Sequence, residues 1–191
     1  MTRALVPIAD GVEEMEAVVI IDTLRRAQWE VVAAAVRTAD RPQDGRFAAP
    51  VVASRGVRLL PDGEWSGLDP LRFDVLAIPG GAAGTKTLCA DDSVLEAVRQ
   101  FAKRGRLVGA ICAGPLVLQK AGILSGRRAT CHPAVRTEFG SAVSLCDTRV
   151  AVDGRIVTSQ GPGTALEFAL TLIELVEGPA AADGVRKGLV M

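Results

Sequence analysis

Leu107-Val108-Gly109-Ala110-Ile111-Cys112-Ala113-Gly114-Pro115 is the stretch whose reading decides the fold. Leu107 to Ile111 is a short apolar run of the kind that forms a buried parallel strand, and Pro115 to Ala121 reads as a helical segment bounded by Gly122. Cys112 stands between them, where a strand turns abruptly into a helix. Ala110, Ala113 and Gly114 are small enough to let the backbone bend sharply there. The N-terminus of the following helix offers unpaired N–H groups and a positive dipole end, both of which favour a thiolate. A nucleophile belongs at such a turn; the alternative is an inert cysteine packed as a small hydrophobe.

Working outward, the same strand-then-helix beat recurs. Arg3 to Ala9 is an apolar run closed by Asp10-Gly11, and Glu13 to Ala27 then carries apolar residues at helical spacing. Val31 to Val36 follows as a second strand, residues 38–50 as a loop, and Val51 to Ala53 with Val57 to Leu60 as a small hairpin or two strand fragments. Val75 to Ile78 is a strand ending in Pro79-Gly80-Gly81, and Ser93 to Arg104 is an amphipathic helix leading into the Cys112 strand. Beyond Cys131, short strands are expected at Val143 to Leu145, Arg149 to Val152 and Ile156 to Ser159, with Asp153-Gly154 as a hairpin turn. Gly161 to Val176 reads as a long helix with Pro162 in its first turn. Such alternation predicts an α/β fold with a mostly parallel sheet covered on both faces, in which ligands bind at the carboxyl ends of the strands. Cys112 and Gly80-Gly81 both fall at such ends.

The composition bounds the answer. A chain of 191 residues that is 49% hydrophobic fits one domain spanning 1–191. Twenty-two basic and 22 acidic side chains leave no net charge, and so no electrostatic footprint for nucleic acid or an anionic membrane. No apolar run approaches a signal-peptide core or a membrane span, which predicts a cytoplasmic protein with small-molecule partners. The four cysteines, Cys89, Cys112, Cys131 and Cys146, lie far apart without a Cys-x-x-Cys pair, which argues against a zinc site and against a disulfide scaffold.

Several residues can join Cys112 at the sheet edge. Glu13, Glu14 and Glu16 crowd the first turn of the first helix. Glu13 and Glu14 are explained by the helix dipole and by a capping box of Asp10 with Glu13. Glu16 shares a helical stripe with Val12, Val19 and Ile20, so its carboxyl is expected to point inward, with a raised pKa that keeps it protonated beside the thiolate. His132, the only histidine, has Ala134 where an orienting acid might stand, and with Cys131 it makes too small a cluster to hold a metal. Gly80 and Gly81 are either a tight turn or, with Ala113, backbone donors to a developing oxyanion. They fit neither a dinucleotide fingerprint nor a phosphate loop. Gly161 and Pro162 are most simply a helix start, with pocket lining as the second possibility.

Taken together, Gly11-Val12-Glu13-Glu14-Met15-Glu16, Pro79-Gly80-Gly81, Ala110-Ile111-Cys112-Ala113-Gly114-Pro115, His132-Pro133 and Thr158-Ser159-Gln160-Gly161-Pro162-Gly163-Thr164 resemble the ThiJ/PfpI superfamily. More narrowly, they are similar to the branch of the parkinsonism-associated protein deglycase and its bacterial homologues. The resemblance implies a flavodoxin-like three-layer sandwich and a homodimer. It implies Cys112 as the reactive cysteine, Glu16 as the protonated acid beside it, His132 as the nearby histidine, and Gly81 with Ala113 as the oxyanion site. Ala113 stands where the protease branch has a histidine, and His132-Pro133-Ala134 lacks the acid that glutamine amidotransferases need, so both of those activities are disfavoured. The activity implied is a glyoxalase III or deglycase reaction on methylglyoxal, glyoxal or their early adducts with amines and thiols, giving a 2-hydroxy acid without metal, flavin or glutathione. The alternative is an oxidative-stress sensor and redox-regulated chaperone built on an oxidisable Cys112.

Overall fold

A computed structural model describes residues 1–37 and 49–191. Most of the loop expected over 38–50 lies outside the described residues. In chain order the strands are β1 (Arg3–Ile8), β2 (Glu30–Ala35), β3 (Val51–Val52), β4 (Arg58–Leu59), β5 (Gly63–Glu64), β6 (Val75–Ile78), β7 (Leu107–Ile111), β8 (Arg128–Ala129), β9 (Ser144–Leu145), β10 (Val150–Asp153) and β11 (Ile156–Ser159). The helices are α1 (Glu14–Arg26), α2 (Ala82–Ala90), α3 (Asp92–Lys103), α4 (Pro115–Lys120), α5 (Ala165–Glu177) and α6 (Pro179–Gly188).

Seven strands form the central sheet in the order β10-β11-β7-β6-β1-β2-β5. All neighbours in it are parallel except β10 and β11, which the Asp153-Gly154 turn joins as an antiparallel hairpin. The run β2-β1-β6-β7-β11 is the flavodoxin-like order, with the chain reversing its direction of travel across the sheet between β1 and β6. The expected three-layer α/β sandwich is therefore what the sequence folds into.

Strand pleating divides the core. Ala4, Val6, Ile8, Val75, Ala77, Leu107 and Ile111 point to the face covered by α1, α5 and α6. Leu5, Leu76, Ile78, Val108 and Ala110 point to the face covered by α3 and α4. With both faces covered, the inner strands read as unbroken apolar runs rather than as alternating ones. Gly109 is glycine because a Cβ there would come within 2.7 Å of Phe168 Cζ and 3.0 Å of Leu172 Cδ2, so α5 lies directly on β7.

Three expectations need correction. Asp10 does not cap α1: its Oδ1 accepts from Val52 N at 2.8 Å, and Glu13 is the cap, accepting from Glu16 N at 2.8 Å. Gly11, with φ of +81°, turns the chain between them and separates the two acids. Residues 161–164 do not begin an α-helix either; Pro162–Thr164 is a single 3-10 turn and α5 starts at Ala165. Lastly, Val19 is only partly buried beside Glu16: the buried stripe of α1 is Glu16, Ala17, Ile20 and Leu24, while Met15 and Val18 face outward, 59% and 48% exposed.

Candidate active site

The β7–α4 junction is a sharp elbow. Cys112 has φ of +64°, a left-handed conformation that non-glycine residues seldom adopt and that persists only where neighbours enforce it. They do so on both sides: Cys112 N donates to Ser159 O at 2.9 Å, and His132 N donates to Cys112 O at 2.9 Å. The half-buried thiol is thereby lifted off the end of the sheet into a cavity of about 590 Å3. Gly81, Ala113, His132, Arg55 and Pro162 are among its walls. The N–H groups of Gly81 and Ala113 face the sulfur and stabilise its anionic form. These donors come from the β6–α2 and β7–α4 turns rather than from within α4, which supplies less of the stabilisation than its position in the sequence promises.

Glu16 is wholly buried beside the thiol. Its Oε2 accepts from Gly80 N at 2.7 Å, while its Oε1 has no hydrogen-bond partner among the described residues. Gly80 is the hinge of this arrangement. A Cβ at that position would lie 2.6 Å from Cys112 Cβ and 2.8 Å from Glu16 Oε2, so only glycine lets acid and thiol meet. Because its N–H is taken by Glu16, Gly80 is not a free donor to an oxyanion, and the expectation placing it beside Gly81 in that role is corrected. Gly81, with φ of +94°, is equally constrained, since a Cβ there would fall 2.2 Å from Gly11 O.

Burial pushes Glu16 up to about 7, partly opposed by the hydrogen bonds from Gly80 and with Cys112. Burial, and after it the nearby Glu16 carboxylate, pushes the Cys112 thiol up to about 12, against the pull of the Gly81 and Ala113 amides. Two negative charges cannot share this enclosure. Below about pH 7 acid and thiol each keep a proton, and above it they hold one between them. When Glu16 holds it, repulsion at the sulfur is replaced by a hydrogen-bond donor.

His132 lines the same cavity, but its Nδ1 accepts from Ala134 N at 3.2 Å and caps the 3-10 turn Pro133–Glu138. No carboxylate orients it among the described residues. Gly161 lies behind the ring, where a Cβ would be 3.3 Å from His132 Cδ2, and only Pro162 reaches the cavity wall. Thr164 Oγ1 holds that turn, accepting from Gly161 N at 3.1 Å and approaching Ser159 Oγ at 2.6 Å.

Glu14 does more than complement the helix dipole. It is buried, and it accepts from Ser54 Oγ at 2.7 Å and from Arg55 N at 2.8 Å, which fastens the β3–β4 hairpin over the site. These hydrogen bonds hold its carboxyl below the usual range despite the opposing effect of burial. Its only sequence signal is its place in the acidic cluster, two residues before Glu16. Among the described residues no group of three or more His, Cys, Asp or Glu is placed to hold a metal, and no helix is long and apolar enough to cross a membrane.

A cysteine on a strand-to-helix elbow, beside an enclosed carboxyl at the switch point of a flavodoxin-like sheet, defines a class of α/β proteins built for thiol chemistry. Within that class the chain belongs to the DJ-1/PfpI family, whose pattern matches residues 2–175. It is 41% identical over 177 residues to Protein DJ-1 homolog B of Arabidopsis thaliana, covering 92% of this chain but only 38% of that protein's length. It is 37% identical over 190 residues to the glutathione-independent glyoxalase DJR-1.2 of Caenorhabditis elegans, covering 98% of this chain and 94% of that protein. The crystal structure of Drosophila melanogaster DJ-1beta superposes with a TM-score of 0.91 at 36% identity, covering all of this chain and 98% of that one.

Proposed function

We propose that this protein is a cofactor-independent glyoxalase that converts methylglyoxal or glyoxal, free or as early adducts of amines and thiols, into 2-hydroxy acids. The observation that carries the reading is the Cys112–Glu16 pair, with the Gly81 and Ala113 amides aimed at the sulfur. The Cys112 thiolate adds to the aldehyde carbon, forming the S–C bond, and the aldehyde oxygen takes the proton of Glu16. Glu16, now ionised, removes the hydrogen from that carbon and returns it to the neighbouring carbon as the hydroxyl proton passes between the oxygens. The product is a 2-hydroxy thioester on Cys112. Water cleaves it, releasing the acid and restoring the thiol, so one water is consumed and no net oxidation occurs. A group with a pKa near 7 suits a proton that must be given up and taken back within one cycle. His132 lines the cavity within the site and serves as a polar wall, for which an Nε2 contact to substrate is the natural use. The named activity of the Caenorhabditis elegans relative supports the reading.

Intact-protein mass spectrometry of enzyme quenched during turnover tests the covalent step. A methylglyoxal-derived acyl group on Cys112 that disappears on standing supports it; an unmodified Cys112 throughout turnover removes it.

The working form we propose is a homodimer. Val18, Ile21, Leu59 and Leu60 line one surface groove where α1 meets the β3–β4 hairpin, and Val18 and Leu60 are 48% and 73% exposed. A second copy would bury this apolar surface. Sedimentation of Val18→Asp as a monomer, against a wild-type dimer, is the expected result. The free cysteines and the absence of any membrane-spanning helix among the described residues favour a cytoplasmic location.

A further inference from the structure

A second cavity, of about 670 Å3, lies between α2 and α4 and shares Ala82, Ala113 and Val135 with the wall of the candidate active site. Neither cavity is scaled to a free dicarbonyl. At about 30 Å3 per non-hydrogen atom, as in liquid water, methylglyoxal fills roughly 150 Å3, against about 590 Å3 over Cys112 alone. The second cavity has the make-up of a site for an amphiphile. Its inner wall is apolar, with Leu116 and Val135, and its rim carries Lys86 and Lys120 against the single acid Glu138. Neither lysine has a hydrogen-bond or ion-pair partner among the described residues. Thr85, 3% exposed, stands in the same wall, its buried hydroxyl without a hydrogen-bond partner among the described residues.

We propose that the α2–α4 cavity is a subsite for the carrier half of the substrate: the thiol or amine to which the aldehyde is attached, bearing a carboxylate or phosphate that sits between Lys86 and Lys120. This rests on the glyoxalase reading of Cys112 and deepens it, since it makes anionic adducts the preferred substrates over free aldehyde. The shared wall at Ala113 sets the distance. Its amide faces the reacting sulfur while its other side opens on the second cavity, so a carrier in the groove holds the former aldehyde carbon at Cys112 and departs as its free thiol or amine when that carbon regains its carbonyl and takes the Cys112 sulfur. Lysines are suited to the task as mobile point charges that accept either anion.

S-acetonyl thioethers test this without reacting, because they keep the carbonyl of the adduct but hold no free thiol. The probes are S-acetonyl mercaptosuccinate, S-acetonyl pantetheine 4′-phosphate and the neutral S-acetonyl mercaptoethanol. Cys89, half-buried in the second cavity, is the reporter: its alkylation by iodoacetamide is followed by peptide mapping with Cys146 as the control. Two lysine contacts of ordinary surface strength make the anionic probes protect Cys89 at about tenfold lower concentration than the neutral one. In Lys86→Ala/Lys120→Ala that ratio falls to one. Whichever anionic probe protects at the lower concentration identifies the carrier's anion. Protection that ignores charge, that survives the double substitution, or that never occurs overturns the proposal. Because the readout needs no turnover, it remains decisive even if methylglyoxal is not a substrate.

Discussion

Replacing Glu16 by Gln in a Cys112→Ser background isolates the price of enclosing that carboxyl. Burial raises Glu16 from 4.5 to about 7, so the folded protein holds a proton that the unfolded chain releases between those values. Folding stability from this group is therefore fullest below pH 4.5 and is lost as pH rises toward 7 and beyond. At 1.36 kcal/mol per pKa unit, the carboxyl destabilises the folded state by about 3 kcal/mol at pH 8 and by less than about 1 kcal/mol at pH 5. Gln keeps an oxygen to accept from Gly80 N and carries no charge. Urea unfolding of Cys112→Ser and of Cys112→Ser/Glu16→Gln, at both pH values, should show the second protein gaining about 2–3 kcal/mol more at pH 8 than at pH 5. A difference independent of pH would mean that Glu16 titrates normally, and the pairing of a neutral acid with a thiolate would lose its basis.

Other substitutions probe the geometry. Gly80→Ala places a methyl 2.6 Å from Cys112 Cβ and 2.8 Å from Glu16 Oε2; it should abolish turnover in a protein that still melts cooperatively, by calorimetry and lactate assay. Gly109→Ala drives into Phe168 and Leu172 on the far side of β7, costing about 1–3 kcal/mol in urea unfolding. Glu14→Ala releases Ser54 and Arg55, and faster amide exchange through residues 51–59 is expected. Under mild peroxide, peptide mapping should find oxidation at Cys112, which lines the open cavity, well before Cys131, which is fully buried.

Much of this was legible because buried parallel strands announce themselves. The apolar runs of β1, β2, β6 and β7 could face no solvent on either side, and the apolar spacing of α3 left it one way to pack. Glu16 could be placed because a carboxyl on a buried helical stripe conflicts with its surroundings unless it has a task. What escaped depends on contacts distant in sequence or on elements too short for a period to show. α2 runs Ala-Ala-Gly-Thr-Lys-Thr-Leu-Cys-Ala, with little periodicity, and β5 has two residues. α6 does have a signal in the sequence, Gly178 closing α5 and Pro179 opening the next helix. Asp10 and Glu13 have capping-box spacing, but the hairpin 42 residues away claims Asp10. The division of labour between Gly80 and Gly81 was likewise hidden, for two adjacent glycines look alike until one amide is seen to meet Glu16 and the other the sulfur.

The central claim is that Cys112 and Glu16 together convert an aldehyde into a 2-hydroxy acid. Lactate formation from methylglyoxal, without glutathione, by wild type, Cys112→Ser and Glu16→Ala, each verified as folded by circular dichroism, tests it most directly. Turnover by the wild type that is lost in both variants is the expected result. A folded wild type that forms no lactate, or a Cys112→Ser protein that forms it as fast, would contradict the account.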